Sequence, residues 1–267
     1  MKELIRLQGL RKVYILGTEK VVALNRIDLT IGDGEICCIL GTSGSGKSTL
    51  LNLLAGLEKP SRGSIHIGKY EITKLSEKKL ARFRRKFVGF VFQSYNLMGS
   101  MTALENVALP LAFRGVSKRK REKLAAQMLR QVGLGKRLYH RPTQMSGGQQ
   151  QRVGIARAFV SKPKIVFADE PTGNLDTKTT VEIMELMVRM ARENHQTLII
   201  VTHDGEIAEY ADRIIHIVDG AIVSDQPNSR PKAGNVQEQQ EPSPPVLTSA
   251  VTGEQVPAGI ENQNGNG

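Results

Sequence analysis

The chain has no long hydrophobic segment. Its apolar runs are short, and one of the longest, residues 107–113, contains Pro110. A helix that crosses a bilayer needs about 18 or more apolar residues, so we expect no membrane-spanning helix. The first ten residues, MKELIRLQGL, place Glu3 and Arg6 where a secretory signal needs an apolar stretch. We therefore expect a protein that is made in the cytosol and stays there.

Cysteine is scarce as well. The two cysteines, Cys37 and Cys38, are neighbours in the apolar run ICCIL. Because successive side chains of a strand point to opposite faces, the two thiols are predicted to lie on opposite sides of a sheet. They are interpreted as reduced core residues, which excludes a disulfide framework and a cysteine metal cluster.

Aromatic residues are missing from the end of the chain. Residues 226–267 contain no Phe, Tyr or Trp, hold six of the eleven prolines and are rich in Gln, Asn and Gly. Such a composition cannot bury enough apolar surface to form a core. We predict a folded domain over residues 1–225, followed by a disordered low-complexity tail over residues 226–267.

Acidic residues are outnumbered in the predicted folded part. The tail carries two of the 37 basic and four of the 26 acidic residues, which leaves residues 1–225 with a formal charge of +13. Two runs concentrate this charge: residues 74–86, with seven basic residues, and residues 114–123, with six. Composition leaves three explanations open for these runs: a solvated helix face, an anionic membrane surface or a nucleic acid.

Short apolar runs alternate with helical patterns along the first 225 residues. The runs of strand length are residues 36–40, 88–92, 165–168, 198–201 and 214–218, and the helical patterns cover residues 47–57, 118–132, 149–160 and 177–193. This alternation is typical of an α/β fold with a mostly parallel core sheet. We also predict an antiparallel β element in the first 35 residues and an inserted helical subdomain at about residues 94–162.

One motif points to chemistry on phosphates. Residues 41–49 read GTSGSGKST, which fits the pattern G-x-x-x-x-G-K-[ST], and they lie between the strand run ICCIL and a helical run. In this setting the glycines let backbone N–H groups surround a polyphosphate, the lysine reaches the β- and γ-phosphates, and the serine hydroxyl binds Mg²⁺. The predicted contacts are Gly41, Thr42, Ser43, Gly44, Ser45, Gly46, Lys47, Ser48 and Thr49, with Lys47 also catalytic and Ser48 a metal ligand.

A second motif is an apolar strand that ends in two acids. It reads KIVFADEP and covers residues 164–171. Ligands bind at the carboxyl ends of the strands in open α/β sheets. Together with the phosphate-binding motif, this position suggests that Asp169 holds the magnesium and that Glu170 polarises the attacking water as general base. Without the phosphate-binding motif, the same run would be interpreted as a strand that ends in solvent.

A third motif provides another glycine turn at the start of a helix. Residues 145–149 read MSGGQ, and they follow the phosphate-binding motif by about a hundred residues. A helix N-terminus of this kind is a second anion site. If the two glycine-rich loops lie at opposite edges of one subunit, they cannot both reach one γ-phosphate. We therefore predict a head-to-tail homodimer, in which each subunit completes the site of the other.

These three motifs resemble those of the ATP-binding cassette (ABC) ATPases of transporters, and the resemblance covers residues 1 to about 225. The family's LSGGQ stands here as MSGGQ, a conservative departure at Met145. The residues that match as nucleotide contacts are Ser146, Gly147, Gly148 and Gln149. The resemblance implies a P-loop enzyme of the ABC ATPase type that binds ATP and Mg²⁺ and hydrolyses ATP.

The resemblance also implies roles for residues outside the three motifs. Gln93, after the strand run VGFVF, matches the glutamine that senses Mg²⁺ and the γ-phosphate, which makes it a metal ligand and a catalytic residue. His203, after TLIIVT, matches the switch histidine that contacts the γ-phosphate and holds the catalytic geometry around Glu170. Tyr14 matches the aromatic residue that stacks on adenine. Asp176, in PTGNLDT, matches the aspartate of the loop that crosses the dimer interface.

Two residues near Asp176 narrow the resemblance to one subgroup. This chain has Gly173 and Asn174 where many members have Ser-Ala. With the segment FQSYNLMGSMTALENVALPL from residue 92, this resembles the subgroup of macrolide exporters, lipoprotein-release ATPases, antimicrobial-peptide detoxification systems and a cell-division ATPase. The resemblance implies a cytoplasmic subunit, peripheral on the inner face of the membrane, that drives a separate four-helix permease with an extracytoplasmic domain. We expect the permease to dock near Gln93, at Leu97, Met98 and Met101.

Two other functions compete with transport. An ABC ATPase of DNA repair or translation would have a nucleic-acid partner, but the chain has neither the long coiled-coil insertion of the repair members nor the second cassette of the translation members. A nucleic-acid partner is therefore not expected. An ATPase that regulates a cell-division or cell-wall membrane complex without transport is not separated from an exporter by the cassette sequence.

Overall fold

The protein folds around two β-sheets. The computed structural model describes residues 2–229 and 231–232. The first sheet contains β1 (Glu3–Leu16), β2 (Glu19–Gly32), β4 (Arg62–Ile67) and β5 (Tyr70–Glu71), in the order β2-β1-β4-β5. All neighbours in this sheet are antiparallel. Its first two strands are the antiparallel β element that the sequence predicts.

The second sheet is mostly parallel. It contains β3 (Ile36–Leu40), β6 (Val88–Phe92), β7 (Ile165–Asp169), β8 (Thr197–Thr202), β9 (Arg213–Val218) and β10 (Ala221–Pro227), in the order β10-β9-β3-β8-β7-β6. The strands from β9 to β6 pair in parallel with their neighbours, and β10 pairs antiparallel with β9 at one edge. The predicted α/β fold with a mostly parallel core sheet is confirmed.

Helices cover the second sheet. They are α1 (Lys47–Leu54), α2 (Glu77–Phe87), α3 (Ala103–Phe113), α4 (Lys118–Gln131), α5 (Gly147–Phe159), α6 (Thr177–Glu193) and the short α7 (Gly205–Ala208). Helices α3, α4 and α5 lie between β6 and β7 and form the inserted helical part of the chain. In the part of the chain that the structure describes, no helix has the length and hydropathy that a bilayer span needs.

Buried apolar side chains form one core on each face of the second sheet. Along β3, Ile36 and Cys38 belong to the core that α3 to α6 complete, whereas Cys37 and Ile39 belong to the core beneath the first sheet. Both cysteines are free and fully buried, on opposite faces as predicted. Because β3 is buried on both faces, its sequence is a continuous apolar run rather than an alternating one.

Both basic runs of the sequence contribute to helices. Residues 77–87 form α2, which buries Leu80 and Phe83 and leaves most of its basic side chains at the surface. The second run contributes the first turns of α4. The two runs meet where α2 and α3 end, because Arg85 donates a hydrogen bond to the carbonyl of Phe113 at 2.9 Å. Arg114 in turn donates to the carbonyl of Arg85 at 2.8 Å.

Regular structure continues past the boundary that the sequence predicts. Strand β10 continues through Pro227, and Asn228 donates from its side chain to the carbonyls of Glu209 at 3.0 Å and Ala211 at 2.9 Å. The predicted boundary after Asp225 is therefore too early. Proline in a sequence normally argues against a strand, so Pro227 hid the end of β10. The strand can include proline because β10 lies at the edge of its sheet. The rest of the predicted tail, residue 230 and residues 233–267, lies outside the described residues.

Candidate nucleotide-binding site

Four parallel strands end side by side at one edge of the second sheet. Adjacent strands pair Leu40 with Thr202, Val201 with Asp169, and Asp169 with Phe92. The next residues along the chain are the phosphate-binding loop after β3, His203 after β8, Glu170 after β7 and Gln93 after β6. The strand order therefore brings the predicted catalytic residues to one edge of the sheet.

The phosphate-binding loop, residues 41–46, closes around the lysine that follows it. Lys47 is the first residue of α1 and is 6% exposed. Its ammonium group donates to the carbonyls of Gly41 at 2.7 Å and Thr42 at 2.8 Å. Because these acceptors are neutral, they hold the ammonium group in place without cancelling its charge. The group can therefore attract the phosphates of a nucleotide.

Two glycines of this loop have a left-handed backbone. Gly44 has φ 81° and Gly46 has φ 100°. A Cβ atom on Gly46 would come within 2.5 Å of the carbonyl oxygen of Ala23 in β2. Only glycine therefore fits where the loop passes β2 and α1 begins. The N–H groups in the first turn of α1 have no partner within the helix, so they are available to an anion.

The hydroxyl side chains of the phosphate-binding motif differ in exposure. Thr42, Ser43 and Ser48 are exposed, Thr49 is half-buried and Ser45 is buried. The Oγ atom of Ser45 is buried without a hydrogen-bond partner among the described residues. Thr42, Ser43 and Ser48 are accordingly open to a ligand at this edge of the sheet, as their predicted contacts require.

Asp169 has a carboxylate oxygen that the described residues leave unpaired. Its Oδ1 atom is buried and accepts no hydrogen bond from them. Burial, and then the nearby charge of Glu170, raise the pKa of Asp169, whereas the charge of Lys47 and a hydrogen bond from Ser48 act in the opposite direction. A carboxylate oxygen beside a serine hydroxyl is a donor set that suits Mg²⁺. Ser48 and Asp169 therefore fit the ion, which when bound neutralises charge on the β- and γ-phosphates.

Glu170 and His203 contact each other. His203 Nδ1 lies 2.9 Å from Glu170 Oε1, and the hydroxyl of Thr202 donates to Glu170 Oε2 at 3.2 Å. Glu170 has a left-handed backbone with φ 45°, a conformation that costs a non-glycine residue about 1–3 kcal/mol. Its N–H group donates to the carbonyl of Val201 at 2.9 Å, which ties the turn to β8. The carboxylate is thus held at the sheet edge, where it can accept a proton from water.

Tyr14 lies on β1 within reach of the phosphate-binding motif. Its hydroxyl donates to Glu58 Oε2 at 2.7 Å, and the ammonium group of Lys12 lies 4.8 Å from the centre of its ring. Burial, and then the hydrogen bond to Glu58, raise the pKa of Tyr14, whereas a hydrogen bond with Thr49 lowers it. The sequence reasoning missed Lys12 and Glu58, which hold the ring in place. Lys12 could have been identified from the sequence, because it is a basic residue two positions before Tyr14 and alternate residues of a strand lie on the same face.

The MSGGQ motif lies at the start of α5. Ser146 caps the helix, since its hydroxyl accepts from the N–H of Gln149 at 3.4 Å and its own N–H donates to Gln149 Oε1 at 3.2 Å. A Cβ atom on Gly147 would come within 2.8 Å of the hydroxyl of Tyr95, so a larger residue would have to displace that side chain. No hydrogen bond among the described residues joins this motif to the phosphate-binding loop.

Asp176 caps α6 next to the MSGGQ motif. Its carboxylate accepts from the N–H of Thr179 at 2.9 Å and from the hydroxyl of the same residue at 2.7 Å. Gly148 of the motif is packed against Thr179, because a Cβ atom on Gly148 would come within 2.7 Å of the Thr179 methyl group. The structure thus gathers the predicted site residues into two groups, one at the sheet edge and one at the starts of α5 and α6.

A cleft of about 750 Å³ opens beside α2, α3 and α5. Its lining combines apolar and basic side chains: Lys78, Ala81, Arg82, Arg85, Val88, Leu109, Pro110, Phe113, Arg157 and Ser161. Phe113 is 63% exposed. The residues predicted to dock a permease, Leu97, Met98 and Met101, do not line this cleft. No local sequence pattern predicts the cleft, because its walls come from segments that are distant along the chain.

The loop that contains Met98 and Met101 is fixed by one buried amide. Asn106 is fully buried, accepts from the N–H of Met98 at 2.8 Å, and donates to the carbonyls of Met98 at 3.1 Å and Thr102 at 3.0 Å. Met98 itself is 49% exposed. The Asn106 amide therefore ties the loop to α3, and Met98 is the apolar side chain that the loop exposes most.

The fold and the site together define a P-loop nucleoside triphosphatase with a second glycine-rich loop on a separate helix. The family described as ABC transporter matches residues 24–173. The chain therefore belongs to the ABC transporter family, and it is an ATPase of that family that uses ATP and Mg²⁺.

Relatives and solved structures agree with this assignment. An uncharacterized ABC transporter ATP-binding protein of Thermotoga maritima is 48% identical over 222 residues, which are 83% of this chain and 94% of that protein. The macrolide export ATP-binding/permease protein MacB 1 of Aeromonas hydrophila is 44% identical over 242 residues, 91% of this chain but 35% of that protein. The chain spans about a third of the length of such macrolide-export relatives. A solved dimeric structure of the ATP-binding cassette MJ0796, in a post-hydrolysis state bound to ADP and Pi, is 41% identical with a TM-score of 0.79 and covers 84% of this chain and 99% of that one.

Proposed function

We propose that the chain is the ATP-hydrolysing subunit of an ABC transporter, that it closes as a head-to-tail homodimer on MgATP, and that closure drives a membrane permease. The observation that supports the dimer is that the two anion-binding loops belong to different parts of the fold, one between β3 and α1 and the other at the start of α5. The MSGGQ motif packs on Tyr95 and Thr179 and has no hydrogen bond to the phosphate-binding loop among the described residues. A second copy can supply the motif to the nucleotide, and the related cassette MJ0796 has been solved as a dimer.

In this mechanism the protein acts mainly by positioning and by neutralising charge. Lys47 and the amides of the phosphate-binding loop bind the β- and γ-phosphates, and Ser48 and Asp169 would hold Mg²⁺, which would neutralise charge on those phosphates. Glu170 takes a proton from the attacking water as that water adds to the γ-phosphorus, and the bond from the γ-phosphorus to the leaving ADP oxygen breaks. His203 keeps the Glu170 carboxylate in position through their 2.9 Å contact. Gln93 would contact the γ-phosphate and Mg²⁺ when both are bound.

The cleft beside α2, α3 and α5 is the proposed docking surface for the permease. It replaces Leu97, Met98 and Met101 as the main candidate, because it combines an apolar wall with four basic side chains. Its lining contains no carboxylate among the described residues. An apolar segment that also carries acidic side chains would complement it. The chain would then lie at the cytoplasmic face of the membrane, held there by the permease.

Dimer formation can be tested with a variant that retains ATP. Glu170→Gln keeps the shape of the side chain and its acceptor for Thr202 but cannot take the proton, so we expect hydrolysis to slow by about 10²- to 10⁴-fold. Size-exclusion chromatography of this variant with MgATP should show a dimer. The double variant Glu170→Gln, Ser146→Arg should bind ATP and stay monomeric. A double variant that still forms the dimer would contradict the role of the MSGGQ motif.

Docking can be tested with two exposed apolar residues. Phe113, in the cleft, and Val223, on β10, are 63% and 61% exposed. Phe113→Asp should abolish co-purification of the membrane protein that the wild-type chain retains in detergent, because the carboxylate disrupts the apolar wall. Val223→Asp, with the same chemistry on another surface, should retain it. Equal retention by both variants would exclude the cleft as the docking surface.

A further inference from the structure

The side chain of Asn174 bridges the loop after β7 and the loop after β6. Its amide donates from Nδ2 to the backbone carbonyl of Gln93 at 3.1 Å. In the other direction, the side chain of Gln93 donates to Asn174 Oδ1 at 3.5 Å, which is a long contact. The shorter hydrogen bond is the stronger of the two. Asn174 thus contacts both the backbone and the side chain of a residue 81 positions earlier.

Gly173 makes this approach possible. A Cβ atom on Gly173 would come within 2.8 Å of Gln93 Nε2 and within 3.2 Å of Gln93 Cδ. Any larger residue at this position would push the side chain of Gln93 away. The N–H of Gly173 donates to the carbonyl of Glu170 at 3.2 Å, so the turn that carries Asn174 is tied to the residue proposed as general base. Gly173 thus leaves room for the side chain of Gln93, and Asn174 forms the hydrogen bonds to that residue.

We propose that Asn174 is a positioning residue for hydrolysis, which acts by holding Gln93 beside the metal site, and that Gly173 is required for the same contact. The inference rests on the proposed role of Gln93. The amide suits this task because it donates to the Gln93 carbonyl and accepts from the Gln93 side chain at once. Alanine at position 174 does neither, and aspartate has nearly the same shape but no N–H to donate.

Steady-state ATPase kinetics of the full chain test the proposal. Asn174→Ala and Asn174→Asp should each lower kcat by about two- to tenfold, the effect of losing one hydrogen bond. The Mg²⁺ concentration for half-maximal activity should rise, while KM for ATP and the melting temperature stay unchanged, because the phosphate-binding loop is intact. In a Gln93→Ala background, Asn174→Ala should cause no further loss, since Asn174 acts through Gln93.

The control is Asn194→Ala, at the other end of α6. The side chain of Asn194 donates to the carbonyl of Met190 at 2.8 Å, within the last turn of α6, and it has no hydrogen bond to Gln93 or Asn174 among the described residues. This variant should keep the wild-type kcat and Mg²⁺ dependence. Gly173→Ala should reproduce the kinetic defect of Asn174→Ala.

The possible outcomes separate this inference from the proposed function. If Gln93→Ala is impaired but Asn174→Asp is fully active, the positioning role of Asn174 is wrong and the role of Gln93 stands. An equal loss from Asn174→Ala in the wild-type and Gln93→Ala backgrounds would also overturn the inference. If Gln93→Ala hydrolyses ATP at the wild-type rate, the assigned role of Gln93 fails, and the positioning role fails with it. A wild-type chain without ATPase activity would overturn the proposed function itself.

Discussion

Replacing Gly46 by alanine tests how closely the phosphate-binding loop is pressed against β2. Gly46 has φ 100°, and a Cβ atom there would come within 2.5 Å of the Ala23 carbonyl oxygen and 2.9 Å of Leu24 Cδ2. A left-handed backbone costs a non-glycine residue about 1–2 kcal/mol, and overpacking a filled space costs roughly 1–3 kcal/mol more. We expect the free energy of unfolding to fall by about 2–5 kcal/mol. Urea unfolding without nucleotide measures this fall.

The matched control is Gly44→Ala, two positions earlier in the same loop. Gly44 has φ 81°, and no atom lies within 4 Å of the position that its Cβ would take. This variant therefore carries only the conformational cost of about 1–2 kcal/mol. Gly46→Ala should therefore unfold at a lower urea concentration than Gly44→Ala, because only Gly46→Ala also carries the cost of the contact with β2. The slope of the free energy of unfolding against urea should be the same for both variants. Equal losses in the two variants would refute the reasoning that this contact, rather than the backbone conformation, makes glycine necessary.

Three further predictions concern the lysine, the thiols and the end of the fold. Lys47→Ala should weaken MgATP binding by at least about 10- to 100-fold, since it removes a charged donor to phosphate; unchanged affinity in a fluorescent-nucleotide titration would contradict the site. Burial raises the pKa of Cys38 to about 12, so at pH 8 a thiol reagent should label the native chain no faster than it unfolds. Because this folded-state pKa is raised, the stability that it contributes is complete below about pH 8.5 and is lost as the pH rises towards 12. Truncation after Lys232 should leave the melting temperature unchanged, whereas truncation after Asp225 should lower it, since it removes Asn228 and its hydrogen bonds to Asp212, Glu209 and Ala211; equal melting temperatures would show that these bonds contribute nothing.

The sequence predicts those parts of the fold that leave a local pattern. The runs that became β3 and β7 are buried on both faces, so they are continuous apolar segments whose ends can be located. The phosphate-binding motif and the two acids at the end of β7 are identified by the same flanking runs. Strand order leaves no such pattern, because pairing depends on contacts between distant segments. Only the structure therefore shows that Phe92 pairs with Asp169, which brings Gln93 to the same edge of the sheet as the two acids.

Two elements lacked a usable pattern. Six of the 11 residues of α2 are basic, and its buried positions, Leu80 and Phe83, are too few to show a helical period. Strand β10 includes Pro227 at the point where the composition turns to that of a disordered segment. In both cases tertiary contacts outweigh local composition: an aromatic cluster with Tyr70 holds Phe83, and pairing with β9 holds β10.

The segment after Gln93 connects the cleft to the nucleotide site. Arg157, whose side chain lines the cleft, donates to the carbonyls of Tyr95 at 2.8 Å and Asn96 at 2.5 Å. Tyr95 and Asn96 have left-handed backbones, with φ 59° and 48°, so this segment cannot shift smoothly into an extended conformation. Arg157 also belongs to α5, the helix that begins at the MSGGQ motif. A partner that binds in the cleft and moves α5 would therefore displace both the segment after Gln93 and the MSGGQ motif.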